Sequence, residues 1–95
     1  TEALKNITVK SFAIKTGFSV EYFTRLFKEK VKQSPYQFIL EHKMSKAREL
    51  LRDGMSIAEI CEKIGYEDLK SFEKIFKKKH GYTASQYRKN QDKYF

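Results

Sequence analysis

Two segments of the chain carry mostly polar and charged side chains at spacings that bring them to one face of a helix. Their members are Val20, Glu21, Thr24 and Arg25 in the first segment, and Leu69, Lys70, Glu73 and Lys74 in the second. Residues three and four positions apart on a helix share a face. Guanidinium, ammonium, carboxylate and hydroxyl groups on such a stripe can bond to base edges in a major groove. The chemistry that these residues suggest is therefore recognition of a nucleic acid.

The charge balance favours a polyanionic partner. Twenty Lys and Arg residues stand against twelve Asp and Glu residues, which gives a formal net charge of +8. Nucleic acid is the first partner to consider and an acidic membrane surface the second. A basic protein without such a partner is the third interpretation. Net charge does not predict a fold, so the organisation of the chain must decide between them.

Catalytic, metal and membrane chemistry have little support in this sequence. Cys61 is the one cysteine, which excludes an internal disulfide, and we expect it to be a small core residue. The two histidines, His42 and His80, lie among lysines, and no glycine-rich phosphate loop is present. We expect no enzyme activity, cofactor or metal. No segment resembles a secretion signal or is apolar enough to span a bilayer, so we expect a cytoplasmic, nucleoid-associated protein.

The chain contains two copies of one small helical unit. The matched pairs are Gly17 with Gly65, Phe23 with Phe72, Phe27 with Phe76, and Ser34 with Thr83. The glycines are 48 residues apart and the later pairs 49, so the second copy carries one extra residue in its turn. Two copies are too few for a solenoid and indicate duplication of one unit.

Capping signals predict an all-α fold of about six to seven helices. The expected N-caps are Ser19, Ser34, Ser56, Asp68 and Thr83, and the expected ends are Gly17, Asp53-Gly54, Gly65 and Gly81. Pro35 suits the first position of a linker helix over about residues 35–52. We expect a single domain over residues 1–95. In it, unit one is a helix-turn-helix (7–33), followed by the linker helix (34–53) and by unit two, a second helix-turn-helix with a C-terminal helix (54–95).

The second helix of each unit is the candidate reader of DNA. Its inward aromatic and aliphatic residues are Phe23, Leu26 and Phe27 in unit one, and Phe72, Ile75 and Phe76 in unit two. A charged outer face on one helix is usually only solvated. Two matched helices, each following a helix and a glycine-centred turn in a strongly basic chain, favour DNA binding.

The segment over residues 56–88 resembles the signature of the AraC/XylS family of bacterial transcription regulators. Its matching residues are Ile57, Ala58, Gly65, Tyr66, Phe72, Phe76, Lys77, Gly81, Thr83, Tyr87 and Arg88. Unit one matches through Ala13, Gly17, Ser19, Arg25, Phe27 and Lys28, so the resemblance covers roughly residues 7–89. It implies two helix-turn-helix units whose recognition helices enter successive major-groove segments about one turn apart.

The resemblance also implies roles for individual residues. The eight residues of the two stripes would contact bases, and the DNA backbone would be contacted by Ser19, Lys28, Asp68, Ser71 and Lys77. Glu21 and Glu73 would either accept from a cytosine amino group or hold Arg25 and Lys74 in place. Besides double-stranded DNA, RNA polymerase is a partner that the resemblance allows, and a regulatory N-terminal region missing from this chain would receive the signal.

Several positions depart from the family pattern. Ala84 stands where proline is usual, and Lys32 stands where a glycine ends the first recognition helix. Residues 1–6 leave room only for a remnant of the family's additional first helix. Lys74 replaces an arginine and lacks its two-pronged donor set, so we expect Arg25 and unit one to dominate base discrimination.

Two other classes of function remain as alternatives. One is a protein-interaction module that contacts RNA polymerase or an anti-activator, and binding that does not depend on salt would favour it. The other is an RNA-binding domain, which would need aromatic platforms for unstacked bases. Most Phe residues here are instead expected at inward helical positions.

Overall fold

The computed structural model describes residues 4–94, with side chains described through residue 90. Within these residues it has a short 3-10 helix, six α-helices and no strand, which confirms the all-α prediction. The 3-10 helix is Leu4–Asn6, and the α-helices are α1 (Val9–Thr16), α2 (Val20–Val31), α3 (Pro35–Arg52), α4 (Ile57–Ile64), α5 (Leu69–His80) and α6 (Ala84–Tyr94). The predicted linker helix coincides with α3. The expected helix remnant is the 3-10 helix at residues 4–6, and residues 1–3 lie outside the described part.

Side-chain oxygens begin the helices at the predicted positions. At three helices a serine hydroxyl accepts a 3.2 Å hydrogen bond from the backbone N–H three residues later. These serines are Ser19, Ser34 and Ser56. Thr83 and Gln86 form a reciprocal capping box, since each side chain accepts from the other's backbone N–H. At the start of α4, the Glu59 carboxylate instead accepts from the Ser56 hydroxyl. Such caps satisfy N–H groups that have no partner inside the helix.

Left-handed residues end the shorter helices. Gly65 has φ 95°, and a β-carbon there would lie 3.0 Å from the Cα and carbonyl oxygen of Lys5. Glycine is therefore needed at this position both for its backbone angle and for the close approach of the 3-10 helix. Lys32 ends α2 with φ 66° and donates its N–H to the Lys28 carbonyl. Unit one thus ends in the conformation that glycine prefers, at a strain of about 1–2 kcal/mol.

The hydrophobic core is larger in unit two than in unit one. Its main cluster comes from α3 to α6 and consists of Met44, Ala47, Leu51, Ile60, Cys61, Ile64, Phe72, Phe76 and Ala84. Unit one packs on α3 through ring contacts, with Phe27 5.7 Å from Phe23 and 5.3 Å from Phe38 between ring centroids. Leu26 and Phe27 are half-buried. The long helix α3 therefore supports both α2 and α5.

Long-range hydrogen bonds connect α5 and α6 to α3 and to the turn that follows it. The Arg88 guanidinium donates to the carbonyls of Leu51 at 2.9 Å and Met55 at 2.6 Å, near the C-terminal end of α3. His80 Nε2 donates to the Met44 carbonyl at 3.1 Å, and its ring packs on Phe76. Charged and aromatic groups from α5 and α6 thereby fix α5 relative to α3.

Candidate nucleic-acid interface

The two candidate recognition helices, α2 and α5, have the same construction. Each has twelve residues, and they begin 49 positions apart in the sequence. Ser19 and Asp68 cap their N-termini, while Lys32 and Gly81 end them in left-handed conformations. Because the two helices have equal length and each begins directly after a capping residue, matched positions occupy the same place along each helix.

The outer face of α2 carries the residues that the sequence predicts. Val20, Glu21, Arg25 and Lys28 are exposed, whereas Thr24 is half-buried. The opposite face is closed by Phe23, which is only 9% exposed. The structure therefore brings a guanidinium, a carboxylate, a hydroxyl and an aliphatic group together on one side of a helix that its own core holds in place.

An aromatic pair supports Arg25, and the sequence analysis did not identify it. The Arg25 guanidinium carbon lies 5.7 Å from the centre of the Tyr22 ring, within the range of a cation–π contact. The Phe18 ring meets Tyr22 edge to face with centroids 4.8 Å apart. Residues three apart on a helix are neighbours, so the spacing of Tyr22 and Arg25 was a usable signal. These contacts restrict where the guanidinium can reach.

The outer face of α5 is basic and less varied. Leu69, Lys70, Lys74 and Lys77 are exposed along it. Lys77, together with two further lysines and His80, lies in the last turn, where positive charge also complements the helix dipole. This face offers an aliphatic group and ammonium groups to a ligand. An ammonium acts as a compact charge and lacks the planar fork of arginine.

Glu73 differs from its predicted role as a base reader. Its Oε1 accepts from the Ala84 N–H at 2.8 Å, and its Oε2 accepts from the Ser85 N–H at 3.2 Å and from the Ser85 hydroxyl. The side chain is half-buried, and both of its oxygens serve the N-terminus of α6. A carboxylate bonded in this way is already satisfied by donors from its own chain. Glu73 thus links α5 to α6, and its carboxylate is engaged within the chain instead of standing free on the outer face.

Asp68 also has a structural role that conflicts with the predicted contact to the DNA backbone. Its Oδ1 accepts from the Lys70 N–H at 3.0 Å, and its Oδ2 accepts from the Ser71 hydroxyl at 2.9 Å. A carboxylate has no proton to donate and repels a phosphate. The predicted N-cap is confirmed, and the predicted phosphate contact of the Asp68 side chain is not supported by this geometry. Ser71 uses its hydroxyl proton within the same cap.

The described residues contain little that could support catalysis or metal binding. Burial raises the pKa of the Cys61 thiol, as do the nearby carboxylates of Asp68 and Glu73, and the thiol donates to the Tyr66 carbonyl. A thiol with a raised pKa is a poor nucleophile. Among these residues, no group of three or more His, Cys, Asp or Glu side chains is placed to hold a metal ion. No helix in this part of the chain is long and apolar enough to cross a membrane.

Two capped helix-turn-helix units joined by a long helix define a double helix-turn-helix protein. The helix-turn-helix domain family matches residues 12–90. The chain belongs to this family, in its AraC/XylS branch of transcription regulators, as the resemblance predicts.

Known relatives agree with this assignment. The chain is 36% identical over 87 residues to the xylose operon regulatory protein of Escherichia coli. The alignment covers 90% of this chain and 22% of that protein. The chain spans less than a third of the length of the first curated relatives that it matches.

Solved structures show the same fold. The C-terminal domain of AraT, a response regulator from Geobacillus stearothermophilus, matches with a TM-score of 0.81 and 32% identity over 90% of this chain and 72% of that chain. The DNA-binding domain of AdpA, in a complex with a target DNA, matches with a TM-score of 0.81 over 93% of this chain and 80% of that chain. At 20% identity, the second likeness shows the fold alone.

Proposed function

We propose that this domain binds specific sequences in double-stranded DNA by placing α2 and α5 in successive major-groove segments, and that it thereby regulates transcription. The observation that carries the proposal is the matched pair of helices, each supported by its own core and each with an exposed outer face. The net charge of +8 adds attraction to phosphates. The complex of AdpA with its target DNA shows that a protein of this fold binds DNA.

The shape of the domain suits two contacts on one side of a duplex. Its longest dimension is 48 Å. Successive major-groove segments on one side of DNA are about 34–36 Å apart. The domain is therefore long enough to reach both segments at once without a second copy of the chain.

The outer faces supply the contacts in this proposal. The residues that contact bases are Val20, Glu21, Thr24 and Arg25 on α2, and Leu69, Lys70 and Lys74 on α5. Phosphates are contacted by the Ser19 hydroxyl, by Lys28 and by Lys77. We do not place Glu73 among the residues that contact bases, because its carboxylate caps α6.

Unit one supplies more base discrimination than unit two in this proposal. Arg25 can bond to the O6 and N7 atoms of guanine together, and Tyr22 restrains its guanidinium. Lys74, at the matching position of α5, lacks the rigid planar fork that fixes such a pair of bonds. Unit two contributes attraction to the backbone through its basic last turn.

The domain division and the regulation belong to the same proposal. Residues 7–33 and 54–95 form the two DNA-binding units, and residues 34–53 hold them at a constant spacing. Because the curated relatives are more than three times as long as the part they share with this chain, the regulatory signal would act through another region of the protein.

Selection of duplexes from a random DNA pool, repeated at two salt concentrations, tests the proposal. We expect enrichment of two short blocks about 10 bp apart, with affinity that falls steeply as salt rises. Arg25→Ala should relax one base position and weaken binding to the selected sequence by roughly 1–3 kcal/mol. Lys77→Ala is the matched control, since loss of a phosphate contact should weaken all sequences equally.

Two results would contradict the proposal. Retention that is weak, salt-independent and without enrichment would favour the alternative of a protein-interaction module that contacts RNA polymerase or an anti-activator. Enrichment that Arg25→Ala leaves unchanged would show that unit one does not read bases through this arginine.

A further inference from the structure

The first residue of each recognition helix is an exposed aliphatic side chain. Val20 begins α2 and is 43% exposed, and Leu69 begins α5 and is 50% exposed. The two positions match along helices of equal length, and each directly follows the N-cap residue. Other large apolar side chains are exposed in the described part of the chain, but none of their matched positions carries a second exposed aliphatic group.

About half of the surface of each side chain stays in contact with water, and neither belongs to the buried core. The core faces of these helices are filled by Phe23 in α2, and by Phe72 and Phe76 in α5. Polar residues at the first helical position would be better solvated, because an exposed apolar surface costs free energy in water. Both side chains instead lie beside the polar residues of the outer faces, Glu21 after Val20 and Lys70 after Leu69.

A major groove presents one group that an aliphatic side chain recognises. The C5 methyl of thymine projects into the groove, whereas the other base edges there offer hydrogen-bond donors and acceptors. A valine or leucine cannot satisfy those polar groups and would be penalised for desolvating them. Contact between two apolar groups removes both from water and favours thymine at that position.

We infer that Val20 and Leu69 are a matched pair of thymine readers, each contacting the C5 methyl of one thymine in its own block. This inference rests on the proposed DNA-binding function and specifies what that site recognises. The target sequence should then contain one thymine at the equivalent position of each block. Arg25 and Lys74 then read neighbouring base pairs from positions five residues further along α2 and α5.

Replacement of thymine by deoxyuridine tests the inference, because it removes only the methyl group. The probe is the duplex obtained by selection, with each thymine in the two blocks replaced singly by deoxyuridine. At one thymine in each block we expect a loss of affinity of about three- to fourfold, as for one buried methyl group. Val20→Ala should abolish this sensitivity in one block only, and Leu69→Ala in the other block only.

Val31→Ala is the matched control. Val31 is also 43% exposed but ends α2, so its removal should leave every deoxyuridine effect unchanged. Equal thermal unfolding of the three variants will show that they are folded.

The result separates this inference from the proposed function. Selected blocks whose affinity is indifferent to deoxyuridine, or whose sensitivity persists in both alanine variants, would overturn the thymine assignment while the function stands. A pool from which no block is enriched would overturn both.

Discussion

Removal of the Glu73 carboxylate should separate its structural role from base reading. The carboxylate bonds two backbone N–H groups and one hydroxyl at the start of α6, and it connects positions 11 and 12 residues apart in the sequence. In Glu73→Ala these N–H groups lose their partners. Because the site is only half-buried, water will replace part of the lost interaction.

The expected cost follows from these contacts. Loss of a helix N-cap typically costs about 1 kcal/mol, and hydrogen bonds to a charged group contribute about 1.5–3 kcal/mol each when well buried. For a partly solvated group we expect the free energy of unfolding to fall by about 1.5–3 kcal/mol in total. The melting temperature of a domain of this size should then fall on the order of 10 °C. Glu73→Gln keeps one carbonyl oxygen and should show an intermediate loss.

Urea unfolding and duplex selection on the same variants provide the assay. Glu21→Ala is the matched control, since Glu21 lies on the outer face of α2 and is exposed. It should change stability by less than about 1 kcal/mol but alter the selected bases in one block. Glu73→Ala should do the reverse. Unchanged stability in Glu73→Ala, together with an altered base preference in unit two, would refute the assignment of Glu73 to α6.

Three further predictions concern strain, pH and the positioning of Arg25. Lys32→Gly should raise the free energy of unfolding by about 1 kcal/mol because the backbone of Lys32 is left-handed. Lys30→Gly, inside α2, should lower this free energy, and urea denaturation measures both changes. Burial lowers the pKa of His80, so the folded state favours the neutral ring. The stability that this contributes is fully present above the unfolded pKa near 6.5, and it is lost as pH falls through the lower folded pKa. His80→Gln should remove this loss between pH 7 and 5, and an unchanged pH dependence would contradict the argument. Tyr22→Ala should reduce discrimination at the base read by Arg25 by about two- to fivefold, the value of an exposed cation–π contact, while Tyr22→Phe should retain it in competition binding.

Local signals predicted the helices well. Ser34 and Pro35 determine where α3 begins, and Asp53-Gly54 follows its end, so the predicted span of 35–52 agrees with the structure. Capping depends on residues three or four apart, which a sequence displays directly. The same reasoning correctly placed the left-handed residue that ends α5.

Contacts between distant residues could not be predicted in the same way. The Glu73 carboxylate accepts hydrogen bonds at the start of α6, which begins 11 residues later. The Arg88 guanidinium donates to carbonyls 37 and 33 residues away. Periodicity placed Glu73 on the outer stripe of α5, but the position of α6 decides what its carboxylate meets. Because the sequence does not show how α6 packs, a capping carboxylate and a base-reading carboxylate looked alike.

The spacing between the two selected DNA blocks provides the most direct test of the central claim, that α2 and α5 read one duplex together. An insertion of about 5 bp, half a helical turn, moves the second block to the other side of the DNA. Since α3 holds the two helices together, the account predicts that affinity falls to that of a duplex with one block scrambled. Changing the spacer sequence at constant length should have little effect. Affinity that survives the insertion unchanged would contradict simultaneous reading by both helices.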